Sequence, residues 1–149
     1  MRIDQASRDD LGDLALLLWL DSHDAEPSPE ALDLFAAELE EWWTAHEGTH
    51  LAFVARVPEI VGMAWVALVP RVARPGQVRR MSADIQSVFV RPHHRGQGIG
   101  FALVDAAARH ATQLGALRVT VHSGRKAVPL YERLGFASSR QLLQRPAPQ

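Results

Sequence analysis

The sequence predicts a single α/β domain of the α+β type, with helices on both faces of a mixed, mostly antiparallel sheet of six to seven strands. Three observations support this fold class. Apolar residues recur at helical spacing before residue 47, and runs rich in branched residues follow residue 50. The 149 residues are 47% hydrophobic, which is enough for one core. No repeat or linker divides the chain, so we expect one domain over residues 1–149.

The first half of the chain is predicted to form one edge strand and two amphipathic helices. Residues 1–6 alternate as an edge strand does, and Ser7 with Asp10 resembles a capping box with Asp in place of Glu. A helix is expected to follow and to end before the turn-forming segment DSHDAEPSP. A second helix is predicted from Pro29 to about His46. Three tryptophans are expected in the core rather than in a substrate pocket: Trp42, Trp43 and Trp65.

The second half is predicted to alternate strands with two further helices. The segments LAFVARV and IVGMAWVALV indicate a β-hairpin, and MSADIQSVFV is the next strand, after a basic loop. A long helix is predicted to begin at Gly98 and to stop at Gly115, followed by the strand ALRVTVH. A short helix over residues 126–134 and a last strand over residues 136–143 complete the order β-α-α-β-β-β-α-β-α-β.

Charge and composition limit the ligands and the location. Residues 1–50 carry thirteen acidic side chains and two arginines, whereas the rest of the chain carries four acidic and fourteen basic side chains. An anion is therefore expected at the C-terminal part and a cation at the N-terminal part, although solvated helix faces explain the acidic residues equally well. The chain lacks cysteine, a secretory leader and a membrane-length apolar run, so we expect a cytoplasmic protein without a membrane partner.

A glycine-rich turn separates the strand MSADIQSVFV from the long helix. It lies in the stretch SVFVRPHHRGQGIGFALV, with glycines at positions 96, 98 and 100. Backbone amides in such a turn can close around an anion, because no β-carbon obstructs the approach and the first amides of a helix lack partners. Arg91 and Arg95 can add charge-assisted hydrogen bonds. The turn predicts a phosphate-bearing ligand, and a turn that only reverses the chain is the alternative.

Four other ligand classes fit this turn poorly. A P-loop needs Lys and Ser or Thr after its last glycine, where this chain has Phe101 and Ala102. A dinucleotide-binding turn needs G-x-G-x-x-G and an acidic residue about twenty positions on. His93 and His94 are adjacent and have no third ligand, so no metal is expected. The segment RPHHR lacks interleaved aromatic residues, so no nucleic acid is expected, and the basic loop over residues 71–80 is the only weak candidate for such binding.

The same stretch resembles the acyl-CoA-binding motif of the GNAT superfamily of N-acetyltransferases. That motif is R/Q-x-x-G-x-G/A between a strand and a long helix, and the matching residues are Arg95, Gly96, Gln97, Gly98, Ile99 and Gly100. A second stretch, AVPLYERLGF over residues 127–136, resembles the family's C-terminal motif. The resemblance implies the GNAT fold, N-acetyltransferase activity and acetyl-CoA as cosubstrate.

The resemblance also implies where acyl-CoA lies. Its pyrophosphate is expected on the backbone amides from Gly96 to Phe101. Its pantetheine arm is expected to pair with the strand edge at Val88, Phe89 and Val90, which requires a gap in the sheet. The backbone N–H of Val90 is implied as the donor to the oxyanion.

Asp84 is implied as the general base. It stands where many family members carry a glutamate that takes the amine proton, directly or through water. A structural ion pair with Arg79 or Arg80 is the alternative. Alternation along an unbroken strand would place on one face Asp84, Gln86, Val88 and Val90.

Tyr131 is implied as the proton donor to the departing thiolate. It is the only tyrosine in the chain, and an ordinary pKa of about 10 suits this donation. Plain packing of the short helix is the alternative. The family often has an asparagine seven residues earlier, where this chain has Gly124.

These residues imply an N-acetyltransferase in which a primary amine attacks acetyl-CoA directly in a ternary complex. The absence of cysteine agrees with direct transfer. The acidic N-terminal helices favour a cationic acceptor, either a small molecule or a peptide amine. A non-catalytic acyl-CoA sensor is the alternative, because Gly124 and the short Asp84 depart from the family pattern. A homodimer is in keeping with small proteins of this kind.

Overall fold

Five strands form one sheet in a computed structural model that describes residues 1–148. The strands are β1 (Arg2–Gln5), β2 (His50–Val57), β3 (Glu59–Arg71), β4 (Arg80–Val90) and β5 (Ala116–Val121). They lie in the order β1-β2-β3-β4-β5, and the first four are antiparallel, whereas β5 joins β4 in parallel. The predicted α/β class with a mixed, mostly antiparallel sheet is confirmed, but the sheet has five strands rather than six to seven.

The predicted last strand, residues 136–143, does not form. The segment FASSRQLL contains no β-branched residue, and its two leucines, Leu142 and Leu143, are 67% and 88% exposed. A strand needs an apolar face that packs on its neighbours, and this segment has none. The outer edge of β5 is therefore without a strand partner among residues 1–148.

Residues 1–148 contain four α-helices. They are α1 (Leu11–Ser22), α2 (Pro29–His46), α3 (Ile99–Gln113) and α4 (Val128–Arg133). Of these, α1, α2 and α3 cover the two faces of the sheet. The predicted bounds of α2 are confirmed, since Ser28 caps the helix through a hydrogen bond from Ala31 N–H (3.1 Å) and Pro29 stands in the first turn. In the part of the chain that the structure describes, no helix is both long and apolar enough to cross a membrane.

Each face of the sheet has its own apolar layer. The layer under α3 includes Phe53, Val66, Ile85, Leu103 and Ala107. The layer under α1 and α2 includes Leu14, Val54, Met63, Trp43 and Trp65. Burial of each large side chain of this kind stabilises the fold by about 1.5–3 kcal/mol. The two layers fix α3 on one side of β4 and the α1–α2 pair on the other.

An ion-pair cluster joins β1 and β2 to the start of α1. The guanidinium of Arg56 contacts the carboxylates of Asp4 and Asp10, each at 2.9 Å, and Arg2 contacts Asp4 at 2.7 Å. Asp10 also accepts a hydrogen bond from the backbone N–H of Ser7 (3.0 Å), as the expected capping box requires. Hydrogen bonds from Arg56 and then Arg2 hold the pKa of Asp4 below its ordinary value.

A β-bulge interrupts β4 in the middle of the strand. Trp65 of β3 pairs with Ser87, whereas the next residue, Val66, pairs with Ile85. Gln86 is therefore an extra residue without a partner on β3.

The bulge changes which side chains of β4 face each helix layer. Ile85 packs in the layer under α3, so its neighbour Asp84 faces α1 and α2. After the bulge, Val88 and Val90 pack in the α3 layer. The expectation that Asp84, Gln86, Val88 and Val90 share one face is therefore wrong, because the extra residue shifts the alternation.

The sheet opens between β4 and β5 at the same place. The parallel ladder runs from the pair of Met81 with Ala116 to the pair of Ile85 with Val121, where β5 ends. Residues 87–90 of β4 thus have a strand neighbour on the β3 side only.

Candidate active site

The glycine turn joins β4 to α3 through left-handed backbone. Gly96 and Gly98 have φ of +77° and +80°, and Gly98 is the N-cap of α3. A β-carbon at either position would meet no atom within 4 Å, so glycine is needed here for its backbone conformation and not for space. The first helical hydrogen bond runs from Ala102 N–H to the Gly98 carbonyl (3.0 Å), and the amides of residues 99–101 precede it. Those amides have no helical acceptor and suit an anion.

Two arginines beside the turn contact the rest of the protein. Arg95 Nε donates to the carbonyl of Val90 at 2.8 Å, and Arg91 forms an ion pair with Glu26 at 3.1 Å. Asp21, at the end of α1, has a pKa raised by burial, and the charge of Arg95 partly opposes this shift. The basic side of the turn is therefore next to the acidic segment between α1 and α2, and an anion at the turn would compete with these carboxylates.

The edge of β4 at the opening presents alternate backbone groups. The N–H of Arg91 donates to the Val61 carbonyl on β3 (2.8 Å). Backbone direction alternates along a strand, so the groups of Phe89 also point to β3, whereas those of Val88 and Val90 point into the opening. Of the three residues expected to pair with pantetheine, two thus direct N–H and C=O groups into the opening, although Arg95 already binds the Val90 carbonyl.

Asp84 lies half-buried on the face under α1 and α2. One carboxylate oxygen accepts a hydrogen bond from the hydroxyl of Thr120 (3.1 Å), and the other lies 3.5 Å from the amide nitrogen of Gln86. The alternative of an ion pair with an arginine at the start of β4 is not realised, since Arg80 donates to the carbonyl of Val72 (2.8 Å). The carboxylate is therefore held by neutral donors, and its charge is available to a cation.

Tyr131 is buried on α4, with 8% of its surface exposed. Its ring packs edge-on against Phe136, with 5.6 Å between centroids. Burial raises the pKa of the phenol, so the hydroxyl stays protonated at neutral pH. This environment agrees both with packing and with proton donation.

A groove of about 770 Å³ runs along the outer edge of β5. It lies between β5 and residues 134–142, where the last strand was expected, and Thr120 and Tyr131 line it. No residue of the glycine turn lines it, so this groove is not the predicted pyrophosphate site.

His93 and His94 lie in a 3₁₀ turn before the glycines. Residues 1–148 contain no group of three His, Asp or Glu side chains that could hold a metal ion.

Sequence reasoning missed a cluster of aromatic rings and imidazoles next to Asp84. Trp42 stacks on His46 (4.6 Å between centroids) and meets His50 edge-on (4.9 Å). Trp42 is 39% exposed, so the expectation that it belongs to the core is wrong, whereas Trp43 and Trp65 are buried as predicted. Strand register is the signal that could have found the cluster, because it aligns His50 with Asp84 across β3.

The sheet with its opening between β4 and β5, the glycine turn at the start of a long helix and the short helix α4 define the class of α/β proteins with an open strand edge beside the glycine turn. The model of the Acetyltransferase (GNAT) family matches residues 14–136, and the chain belongs to this family. The fold that the resemblance implied is that of this family.

Similar proteins agree with this assignment. A glucosamine 6-phosphate N-acetyltransferase of Trypanosoma brucei brucei is 37% identical over 84 residues, which are 56% of this chain and 55% of that protein. A mycothiol acetyltransferase of Paenarthrobacter aurescens (strain TC1) is 31% identical over 117 residues, which are 76% of this chain and 34% of that protein. The crystal structure of a Trypanosoma brucei acetyltransferase has a TM-score of 0.75 at 25% identity and covers 98% of this chain and 99% of its own. The aligned segments thus span about half of the first relative and about a third of the second.

Proposed function

We propose that the protein is an N-acetyltransferase that transfers the acetyl group of acetyl-CoA to a primary amine by direct attack in a ternary complex. One observation supports this most: in a chain of the acetyltransferase family, the open edge of β4 leads directly into a turn with left-handed glycines. Relatives named for acetyl transfer to glucosamine 6-phosphate and to mycothiol also support it.

The donor site in this proposal follows β4 into α3. The amides at the start of α3 bind the pyrophosphate, with added charge from Arg95, and the open strand edge binds the pantetheine arm. The proposed contact residues are Val88, Phe89, Val90, Arg95, Gly96, Gln97, Gly98, Ile99, Gly100 and Phe101. The residues fit such a ligand at Gly96 and Gly98, where a β-carbon would meet nothing within 4 Å and the space beside the backbone is open, whereas the third glycine lies against Leu130 (3.7 Å) and Val90 (3.9 Å). When bound, acetyl-CoA supplies an activated thioester.

Two groups of the chain are proposed to act on the reacting atoms of the thioester. The backbone N–H of Val90 points into the opening and donates to the oxyanion. The hydroxyl of Tyr131 gives its proton to the departing thiolate. Because the protonated phenol is the active form and its pKa is raised, activity should not fall between pH 7 and about 10 through this group.

Asp84 is proposed to receive the acceptor ammonium and to take its proton, directly or through water. Its carboxylate is held by Thr120 and Gln86 and not by an arginine, so it can pair with a cation. The acidic residues of the first fifty positions add a negative potential on the same side of the sheet, which favours a cationic small molecule or peptide amine.

A thiol-release assay with a panel of primary amines tests the proposal. The panel includes glucosamine 6-phosphate, spermidine, an aminoglycoside and peptides with free N-termini. Tyr131→Phe and Asp84→Asn are each expected to lower kcat by about 10²-fold or more, since each removes one proton transfer. Asp105→Asn is the matched control, because Asp105 pairs with Arg109 on the exposed side of α3. Unchanged rates in both variants would remove these residues from the mechanism.

An acyl-CoA sensor is the second candidate function. It is favoured by the engagement of both oxygens of Asp84 within the chain, which leaves fewer acceptor positions for the amine. Tight binding of CoA by calorimetry, with no amine of the panel acetylated, is the result that selects the sensor. Turnover of any one amine rejects it.

A further inference from the structure

A row of side chains crosses the sheet beneath the C-terminal end of α2. The strand register pairs His50 with Ala67, Ala67 with Asp84, and Asp84 with Thr120. Cross-strand partners share a face, so all four side chains point toward α1 and α2. Adjacent strands lie about 4.8 Å apart, which puts the Cα atoms of His50 and Asp84 about 10 Å apart with only a methyl group between them.

The space over Ala67 is occupied by the bulged residue of β4. The amide nitrogen of Gln86 lies 3.5 Å from a carboxylate oxygen of Asp84, and the same side chain raises the pKa of His50. The side chain of Gln86 therefore reaches between the carboxylate and the imidazole. The contact with Asp84 is at the long limit of a hydrogen bond and Gln86 is exposed, so an incoming ammonium can replace the amide there.

Thr49 contacts the ring of His50 from the Nδ1 side. The Thr49 hydroxyl lies 3.2 Å from the carbonyl of His46, to which it can donate, and 2.9 Å from Nδ1 of His50. In the tautomer with hydrogen on Nδ1, the ring donates to this hydroxyl oxygen and its lone pair is on Nε2, as a base requires. The indole of Trp43 donates to the His50 carbonyl (3.1 Å) and fixes the backbone.

The surroundings of His50 favour the neutral ring. Burial lowers its pKa below the ordinary 6.5, the charge of His46 adds to this, and the hydrogen bond with Gln86 opposes it. The groups that face it are His46 and the Trp42 ring from α2, Gln86 and then Asp84 from β4, and Ala67 from β3. At neutral pH the ring can therefore accept a proton.

We propose that His50 is a second catalytic residue, which takes the proton of the acceptor ammonium while Asp84 binds that ammonium. This inference rests on the proposed acetyltransferase function and refines it: His50 replaces Asp84 as the base, and Asp84 keeps only the role of binding the ammonium. The ammonium lies over Ala67 and passes one proton to Nε2 of His50, and Gln86 stabilises the imidazolium. The neutral amine nitrogen then bonds to the thioester carbonyl carbon as the carbon–sulfur bond breaks. The thiolate takes the proton of Tyr131, the second amine proton replaces it, and His50 releases its proton to solvent.

The test compares pH profiles of kcat/KM from pH 5 to 9, with an amine that the wild-type protein acetylates. His50→Gln is expected to lower kcat/KM about 10²-fold and to abolish the acidic limb of the profile. An analogue of the same amine with three fluorines on the β-carbon is largely neutral at pH 7, so its loss should be about 10-fold smaller. The matched control is His110→Gln, because His110 also packs edge-on against an aromatic ring, Phe53 (5.5 Å), on the other face of the sheet.

Variants of the orienting residue test the tautomer and keep the imidazole. Thr49→Val is expected to lower kcat/KM about 10-fold and to move the acidic limb, whereas Thr49→Ser should restore the wild-type profile. CoA affinity should stay unchanged in both, because Thr49 lies far from the glycine turn.

The outcomes separate this inference from the proposed function. If the wild-type protein acetylates no amine, the proposed function fails and the role of His50 fails with it. If the wild-type protein is active and His50→Gln keeps its acidic limb, or loses equal activity with both amines, only the role of His50 is overturned. If His50→Gln does not fold, Thr49→Val decides, and a wild-type profile in that variant overturns the inference.

Discussion

Replacing Gly98 with alanine is expected to weaken both the fold and the binding of CoA. Gly98 has φ of +80° and caps α3, so the direction of the first free amides of that helix depends on it. A β-carbon there meets nothing within 4 Å, so crowding adds no cost and only the backbone conformation matters.

The expected magnitude follows from two opposing effects. Left-handed backbone costs a residue with a β-carbon about 1–2 kcal/mol. Alanine also restricts the unfolded chain, which returns about 0.4–1 kcal/mol. The free energy of unfolding should therefore fall by about 0.5–1.5 kcal/mol, which lowers Tm by about 2–5 °C in a domain of this size. The control is Gly12→Ala in the first turn of α1, where φ is helical and space is open, and stability should rise by about 0.5 kcal/mol.

Urea unfolding and calorimetric titration with CoA measure the two effects. The two alanine variants should shift the unfolding midpoint in opposite directions at equal m-value. CoA should bind more weakly to Gly98→Ala only, because that variant alone redirects the turn. If Gly98→Ala keeps both the wild-type midpoint and the wild-type Kd, the left-handed residue does not shape the anion site, and the reasoning is refuted.

Three further predictions concern the fold and the surroundings of the turn. Gly62→Ala places a β-carbon 3.0 Å from Leu103 and 3.2 Å from a backbone oxygen, so it should lower the free energy of unfolding by about 1–3 kcal/mol in urea titrations; an unchanged midpoint would show that α3 yields freely. The pKa of Asp4 is lower in the folded protein, so the contribution of this carboxylate to stability is present above pH 3.8 and is lost as the pH falls through the folded pKa. Asp4→Asn should therefore flatten the decline of Tm below pH 4. A curve of Tm against pH that is parallel to that of the wild type would contradict this. Glu26→Gln frees Arg91 from an exposed ion pair, so the free energy of unfolding should change by less than about 1 kcal/mol. The freed charge of Arg91 should let this variant bind CoA more tightly at low salt, where screening is weak. If the Kd of CoA for this variant is the same at low and high salt, the prediction is contradicted.

The sequence predicted the elements whose signals are local. The start of α2 is marked by Ser28 and Pro29, and Gly115 with φ of +106° follows α3 as expected. The expectation of a last strand over residues 136–143 failed because the segment has no β-branched residue and no alternating apolar pattern. Local propensity and packing had to agree for that strand to form, and they do not.

The site was predictable only where it is continuous in the chain. The glycine turn needs a strand, three glycines and a helix in succession, and all of these can be read from residues 87–104. The partners of Asp84 are set by register instead. Thr120 arrives from β5 and His50 from β2, and neither register leaves a mark in the sequence around Asp84. For that reason the carboxylate was predicted and the imidazole was not.

The extra residue of β4 connects the two halves of the site. The β4–β5 ladder ends at Ile85, immediately before Gln86, so the opening for the donor begins where the bulge lies. The same bulge turns the following valines toward α3 and leaves Asp84 and Gln86 on the α1–α2 side, facing His50. A strand without the bulge would continue its alternation and would put Asp84 on the face of Val88. One inserted residue therefore separates the strand edge proposed for acetyl-CoA from the face of the sheet proposed for the amine. It also places the carboxylate of Asp84 beside the opening through which acetyl-CoA is proposed to enter.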